Sequence, residues 1–224
     1  MAGRLEGKRV ILTDPGYYSG PGIIKVFEEE GAELFADDRD LTEPGAAEDL
    51  VASVGQVDVL IANHARPFAF TPAQEGTDDE MERLMNSIFY PMHRMIRAVL
   101  PQMLERRNGK IVVASSVNAI KGRADGVTLY SAARGAQIAY MRNLAHEVAP
   151  HINVNATAQT YVDNPTYFSE EYKKTEAFRR RLAEAPAQRL ASMEECAKTI
   201  LFLAGPESDF FYGQVIPFAG GWAV

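Results

Sequence analysis

Arg9-Val10-Ile11-Leu12-Thr13, followed by Asp14-Pro15-Gly16-Tyr17-Tyr18-Ser19-Gly20-Pro21-Gly22, is the stretch on which the fold turns. The first five residues have an apolar, β-branched centre and predict a strand buried on both faces, as in a parallel sheet. Pro15 and the glycines at 16, 20 and 22 predict a turn-rich loop after it. Ile23, Ile24, Val26 and Phe27 then fall at near-helical spacing, and Gly31 is placed to end that helix. Glu33-Leu34-Phe35-Ala36 predicts a second strand, with Asp37 directly after it. Strand, glycine loop, helix, strand, acid is the skeleton of a dinucleotide-binding unit.

The same alternation continues along the chain. One helix is expected at about 46–54, then a buried strand at 57–62. A proline-containing loop covers 66–77, where Phe68 and Phe70 could line a pocket mouth or simply pack. A long helical stretch at 78–107 carries two apolar stripes, read as core, and Pro91 should kink or break it. Strands are expected at 110–115 and 152–158, with a helix at 126–148 between them. The charged segment 169–185 reads as helix, and Ser192-x-x-Glu195 reads as the capping box of a last helix ending at Ala204. A final strand is expected at 213–218. The fold class expected is therefore α/β: one domain over 1–224, a Rossmann-like doubly wound parallel sheet with helices on both faces, shortened between the second strand and the strand at 57–62.

Composition narrows the function. At 224 residues and 46% hydrophobic content, one domain with a sizeable core is expected. A net charge of -7 argues against nucleic acid or an anionic membrane surface as partner. One cysteine, Cys196, excludes an internal disulfide framework. With no apolar run long enough to cross a membrane and no apolar signal region at the N-terminus, a cytoplasmic protein is expected. The histidines at 64, 93, 146 and 151 lack metal-ligand spacing, so no metal site is expected.

Chemistry concentrates in Tyr130-Ser131-Ala132-Ala133-Arg134. Residues four apart on a helix share a face, which sets the Tyr130 phenol beside the Arg134 guanidinium. A permanent positive charge favours phenolate and lowers a tyrosine pKa from its ordinary value of about 10. That makes Tyr130 a candidate general base. Upstream, the apolar run Ile111-Val112-Val113-Ala114 ends in Ser115-Ser116, and a hydroxyl at a strand end can hold the oxygen on which the tyrosine acts.

These residues resemble the short-chain dehydrogenase/reductase family. Gly109-Lys110-Ile111-Val112-Val113-Ala114-Ser115-Ser116 resembles its serine-bearing strand, and Tyr130-x-x-x-Arg134 its Tyr-x-x-x-Lys motif with the lysine replaced. The resemblance implies that Ser116 is the active serine, although the spacing to Tyr130 leaves Ser115 open. Laid on the family loop Thr-Gly-x-x-x-Gly-x-Gly from Thr13, the glycine positions fall at Asp14, Tyr18 and Gly20, and only the last is glycine. The absent side chains are what let backbone approach a pyrophosphate, so this loop predicts no dinucleotide cofactor. Gly16 and Gly22 leave open a shifted loop that still binds nucleotide.

An offshoot of that family, the halohydrin dehalogenases, carries the loop Thr-x4-Phe/Tyr-x-Gly, met here by Thr13, Tyr18 and Gly20, and the set Ser-Tyr-Arg, met by Ser116, Tyr130 and Arg134. This resemblance spans essentially the whole chain, including Gly220-Gly221-Trp222 near its end. It implies cofactor-independent conversion of vicinal haloalcohols to epoxides with halide release. The reverse is opening of an epoxide by azide, cyanide or nitrite. It also implies a halide cradle at Tyr18, Gln159, Thr160 and Tyr161, and a homotetramer. The alternative is an NAD(P)-dependent short-chain alcohol dehydrogenase or ketoreductase with a degenerate loop.

Overall fold

In the computed structural model, which describes residues 3–223, the strand β1 (Arg9–Thr13) is flanked by β2 (Glu33–Asp37) on one side and β3 (Val59–Ala62) on the other, all parallel. Met1, Ala2 and Val224, the outermost residues of the two chain ends read above, lie outside the described residues. β4 (Gly109–Ser116), β5 (Ile152–Gln159) and β6 (Val215–Phe218) extend the sheet in parallel, giving the order β2-β1-β3-β4-β5-β6. The chain runs outward from β1 to β2 and returns to β3 on the opposite side of β1. Such a reversal opens a crevice at the carboxyl ends of the strands, where doubly wound proteins bind ligands.

Period-two alternation assigns each strand residue to one of two cores. Ile11, Leu60, Ile111, Val113 and Val154 face one side and pack under α2 (Ala46–Val54), α4 (Tyr90–Arg106) and α5 (Thr128–Val148). Val10, Leu12, Val59, Ile61 and Val112 face the other side, under α1 (Gly20–Glu29) and α8 (Met193–Ala204). The result is three layers with helices on both faces. β2 reaches β3 through the single helix α2, so the sheet has the shortened middle that the sequence predicts.

Several local expectations acquire physical detail. The stretch 78–107 splits into α3 (Asp78–Leu84), a π-helical turn at Met85–Phe89, and α4. Pro91 stands just inside the start of α4, where its missing N–H is tolerated. The methionine stripe is core, with Met92, Met95 and Met103 fully buried. The segment expected as one helix at 169–185 is two, α6 (Glu170–Lys173) and α7 (Glu176–Ala183), because Thr175 caps the second by accepting from the Phe178 amide. The capping box of Ser192 and Glu195 is present. Gly22 serves packing: a Cβ there would stand 2.5 Å from the Met193 carbonyl, so α1 and α8 approach closely only because the position is glycine. No helix of the described residues is long and apolar enough to cross a membrane.

Candidate active site

Tyr130 and Arg134 stand one turn apart on α5, and Arg134 Nε donates to Tyr130 Oη at 3.0 Å. The guanidinium is wholly buried. Its Nη1 donates to Ala114 O at 3.2 Å and to Gln137 Oε1 at 3.1 Å, and its Nη2 donates to Tyr167 Oη at 3.4 Å. Gln137 is anchored in turn by donating to Ile88 O at 3.0 Å. A buried charge is tolerated when its donors are met in this way. Burial works against the charge, but the oxygens of Tyr130, Tyr167 and Tyr18 more than offset it, and the Arg134 pKa lies above the ordinary arginine value. Arg134 is therefore a fixed cation under the Tyr130 oxygen.

Adjacent strand residues point to opposite faces, and this separates the two serines. Ser115 Oγ donates to Arg134 O at 3.4 Å, within the packing under α5. Ser116 instead lines a cavity of about 120 Å³ together with Tyr130. Ser116 Oγ accepts from the Asn118 amide at 3.2 Å and has donor capacity left for a ligand oxygen.

The same cavity gathers Tyr18, Gln159, Thr160 and Tyr161. Tyr18, Ser116, Tyr130, Gln159, Thr160 and Tyr161 therefore line one space, and Arg134 reaches it through its bond to Tyr130. Tyr18 takes φ 55° in its loop, its amide donates to Thr166 Oγ1 at 2.9 Å, and its ring meets Tyr167 edge-on at 5.4 Å between centroids. Burial, reinforced by the Tyr130 phenol, pushes the Tyr18 pKa well above its ordinary value, so it remains a neutral O–H donor. Gln159 is held at both ends of its amide: Ser19 Oγ donates to its Oε1 at 2.8 Å, and its Nε2 donates to Thr157 Oγ1 at 2.6 Å. The Thr160 amide donates to Phe218 O at 3.0 Å, and the Tyr161 hydroxyl donates to Arg181 O at 2.9 Å.

Phe68, Tyr167 and Arg181 also line the cavity and carried no site assignment from the sequence beyond the pocket-mouth option for Phe68. Phe68 stacks on the Tyr130 ring at 4.0 Å with 13° between planes, covering one face of the phenol. Tyr167 brings a second phenol to Arg134, and burial together with the nearby Tyr130 raises its pKa. Arg181 reaches the cavity from α7. Only the clustering of aromatics at Tyr161, Tyr167 and Phe168 in the loop after β5 hints at this wall in the sequence. Trp222 is a packing residue, edge-on to Tyr161 at 6.2 Å with its Nε1 donating to Glu184.

The loop after β1 is arranged around charge rather than around an open backbone. Asp14 takes φ 49° and accepts from Arg66 Nη2 at 2.8 Å, and its other oxygen lies 3.2 Å from His64 Nδ1. Arg66 also lies over the Tyr17 ring at 4.4 Å. Burial alone would raise the Asp14 pKa, but the hydrogen bonds from His64 and Arg66 outweigh it and hold the carboxyl below its ordinary value. A folded-state pKa below the unfolded one gives stability that is present above about pH 4 and is lost as the pH falls through the folded value. Asp14→Asn is expected to lower stability by about 1–3 kcal/mol at pH 7, with the gap closing toward pH 3. Thermal midpoints of both proteins across that range check it.

The space beside Tyr130 is small for a dinucleotide. Cofactor and drug-sized ligands occupy pockets of about 300–1,000 Å³, and the Tyr130 cavity offers about 120 Å³. A second, more open cavity of about 460 Å³ lies beyond Asp14, Arg39 and Arg66, but the two share no lining residue. Tyr18 lines the first of these cavities, and the paired Asp14 and Arg66 line the second. Of the alternative glycines, Gly22 is committed to helix packing, and a Cβ on Gly16 would meet open space. Among the described residues no group of three or more His, Cys, Asp or Glu could hold a metal ion.

Comparison with known proteins gives the lineage. The family described as enoyl-(acyl carrier protein) reductase matches residues 4–223. The chain belongs to the short-chain dehydrogenase/reductase superfamily. Among its superfamily relatives, a 3-oxoacyl-acyl-carrier-protein reductase (FabG) of Thermotoga maritima is 29% identical over 250 residues, covering 99% of this chain and 100% of the reductase. That alignment is longer than the chain itself, so this superfamily member lacks residues that the reductase has. Among solved structures, one described as a dehalogenation enzyme superposes with a TM-score of 0.90 at 28% identity and covers 100% of both chains. A halohydrin dehalogenase (HheC) bound to ethyl (2S)-oxiran-2-ylacetate superposes at 0.86 with 23% identity over 97% of this chain and 98% of its own, which speaks for the fold.

Proposed function

We propose that this superfamily member is a halohydrin dehalogenase that converts vicinal haloalcohols to epoxides without a cofactor. One observation carries the reading: Tyr18 lines a small cavity together with Tyr130, whose oxygen is paired with Arg134. The likeness to a dehalogenation enzyme along the full length of both chains supports it.

In the reaction, the Tyr130 oxygen, held by the hydrogen bond from Arg134 Nε, takes the proton of the substrate hydroxyl. Ser116 donates to the same substrate oxygen as charge grows on it. The alkoxide displaces the vicinal halide: a C–O bond forms, the carbon–halogen bond breaks, and the halide leaves with its electron pair. The halide departs into the end of the cavity formed by Tyr18, Gln159, Thr160 and Tyr161, where the neutral Tyr18 hydroxyl is a donor that brings no competing charge. In reverse, azide, cyanide or nitrite enters at that end and opens an epoxide, with Tyr130 as the acid. Arginine suits a site that needs a fixed charge and has no ribose hydroxyl to grip. The reading extends to a homotetramer acting on small molecules, which light scattering checks.

Halide release from 1,3-dichloro-2-propanol with no nucleotide added tests the proposal. Ser116→Ala is expected to slow release by about 10²-fold, whereas Ser115→Ala, which removes a hydroxyl spent on Arg134 O, is expected to stay within a few-fold. Equal losses in both variants would contradict the assignment of Ser116.

The identity to a reductase favours one second reading, an NAD(P)-dependent alcohol dehydrogenase or ketoreductase. It predicts saturable binding of NADH or NADPH at micromolar concentration, and the dehalogenase reading predicts none.

A further inference from the structure

Among the described residues, Arg181 is the one formally charged side chain lining the Tyr130 cavity, and no carboxylate lines it. Three consecutive arginines lie on α7. Arg179 and Arg180 both pair with Glu176, at 3.4 Å each. Arg181, by contrast, makes no salt bridge among the described residues, and its Nε is buried without a hydrogen-bond partner. The guanidinium lies over the Phe168 ring at 5.5 Å and over the Phe70 ring at 6.0 Å. The Tyr161 hydroxyl, donating to Arg181 O, ties this turn of α7 to the cavity wall.

A guanidinium drawn partly out of water and held between aromatic faces regains only part of its lost hydration from the rings. Its planar fork is the group best matched to a carboxylate, through two parallel charge-assisted hydrogen bonds. No described residue of the cavity supplies that anion, which leaves the place open to a ligand. The remaining wall, from Phe68, Phe70, Val162 and Phe168, suits a short carbon chain between the reacting oxygen and the charged end.

We infer that Arg181 is a substrate-binding residue that selects haloalcohols and epoxides carrying a carboxylate. The inference rests on the dehalogenase reading for the reacting end of the molecule, but not for the charged end. For a chlorohydroxy acid the step balances as before: the hydroxyl proton goes to Tyr130, the alkoxide displaces chloride, and an epoxy acid leaves with its carboxylate unchanged.

The test compares 4-chloro-3-hydroxybutanoate with 1-chloro-2-butanol, which differ by a carboxylate in place of a methyl group. Wild type is expected to favour the charged substrate in kcat/KM by about 10–100-fold, the worth of a charge-assisted pair. Arg181→Met, which keeps the volume and removes the charge, is expected to erase that ratio, and Arg181→Lys to restore part of it. Calorimetric binding of unreactive 3-hydroxybutanoate, against 2-butanol, gives a readout independent of turnover, and thermal midpoints verify that each variant is folded. Wild type binding the hydroxy acid no better than the alcohol overturns the inference, and so does a preference that survives Arg181→Met. Sodium bromide titrated into both proteins separates the remaining source of anion. If Arg181→Met weakens bromide binding and leaves the hydroxy acid unaffected, the guanidinium serves the leaving halide and the inference fails. Hydroxy acid binding that depends on Arg181, without halide release from either chloride substrate, supports the anion subsite and refutes the dehalogenase reading alone.

Discussion

Replacing Tyr130 by phenylalanine is expected to lower halide release from 1,3-dichloro-2-propanol by about 10³-fold, the range lost when a positioned acid–base group is removed. Phenylalanine keeps nearly everything the ring does for packing. It retains the stack on Phe68 at 4.0 Å and the cluster with Leu84, Ile88 and Ala133. What disappears is the oxygen that would take the proton. Arg134 Nε loses its 3.0 Å acceptor, but the guanidinium keeps Ala114 O, Gln137 and Tyr167. The expected cost in stability is therefore about 1–3 kcal/mol, too little to unfold the domain. The measurement is halide release at saturating substrate, alongside a thermal melt. Retention of activity within a few-fold would remove Tyr130 from the chemistry and leave the proposed mechanism without a base.

Arg134→Gln carries the second-largest expectation, a loss of about 10²-fold or more in kcat/KM from removal of a preorganised charge at a water-excluded site. A glutamine amide ends at the level of Nε, so it can still donate to Tyr130, while Ala114 O, Gln137 and Tyr167 lose the donors that Nη1 and Nη2 supply. It also relieves the cost of holding a cation fully inside the protein, which sets the expected change in folding stability near zero or modest in either direction. Activity and stability should therefore separate: a large kinetic loss in a protein that still melts cooperatively. Steady-state kinetics and calorimetry on the same preparation check both. If glutamine supports wild-type turnover, Tyr130 does not depend on the cation beside it, and the replacement of the superfamily lysine has some other reason.

Much of this architecture was legible residue by residue. Continuous apolar runs announce β1, β3 and β4, since a strand buried on both faces must be apolar on both. The capping box at Ser192 and the break before Pro91 follow from backbone hydrogen-bonding rules that act over a few residues. The Tyr130–Arg134 pair is legible because helical spacing alone brings residues four apart together. The loop reading at Asp14 and Tyr18 rests on steric facts carried by single side chains. By contrast, the division of 169–185 into α6 and α7 turns on whether Thr175 spends its hydroxyl on the Phe178 amide, which helix periodicity does not register.

What the sequence determined by itself, then, is whatever depends on short-range geometry: a doubly wound parallel sheet with a shortened middle, a phenol beside a guanidinium, and an aromatic ring where a glycine would admit a phosphate. What tertiary structure decided is whatever depends on residues far apart in the chain meeting across the ends of the strands. It separated Ser116 from Ser115, because the pleat points one into the cavity and the other beneath α5. It brought Phe68 onto Tyr130 and Tyr167 onto Arg134, and it turned Arg181 inward while Arg179 and Arg180 face Glu176. Those contacts arise from loop closure over a shared apolar space, and the energy that fixes them comes from the whole core rather than from any local pattern.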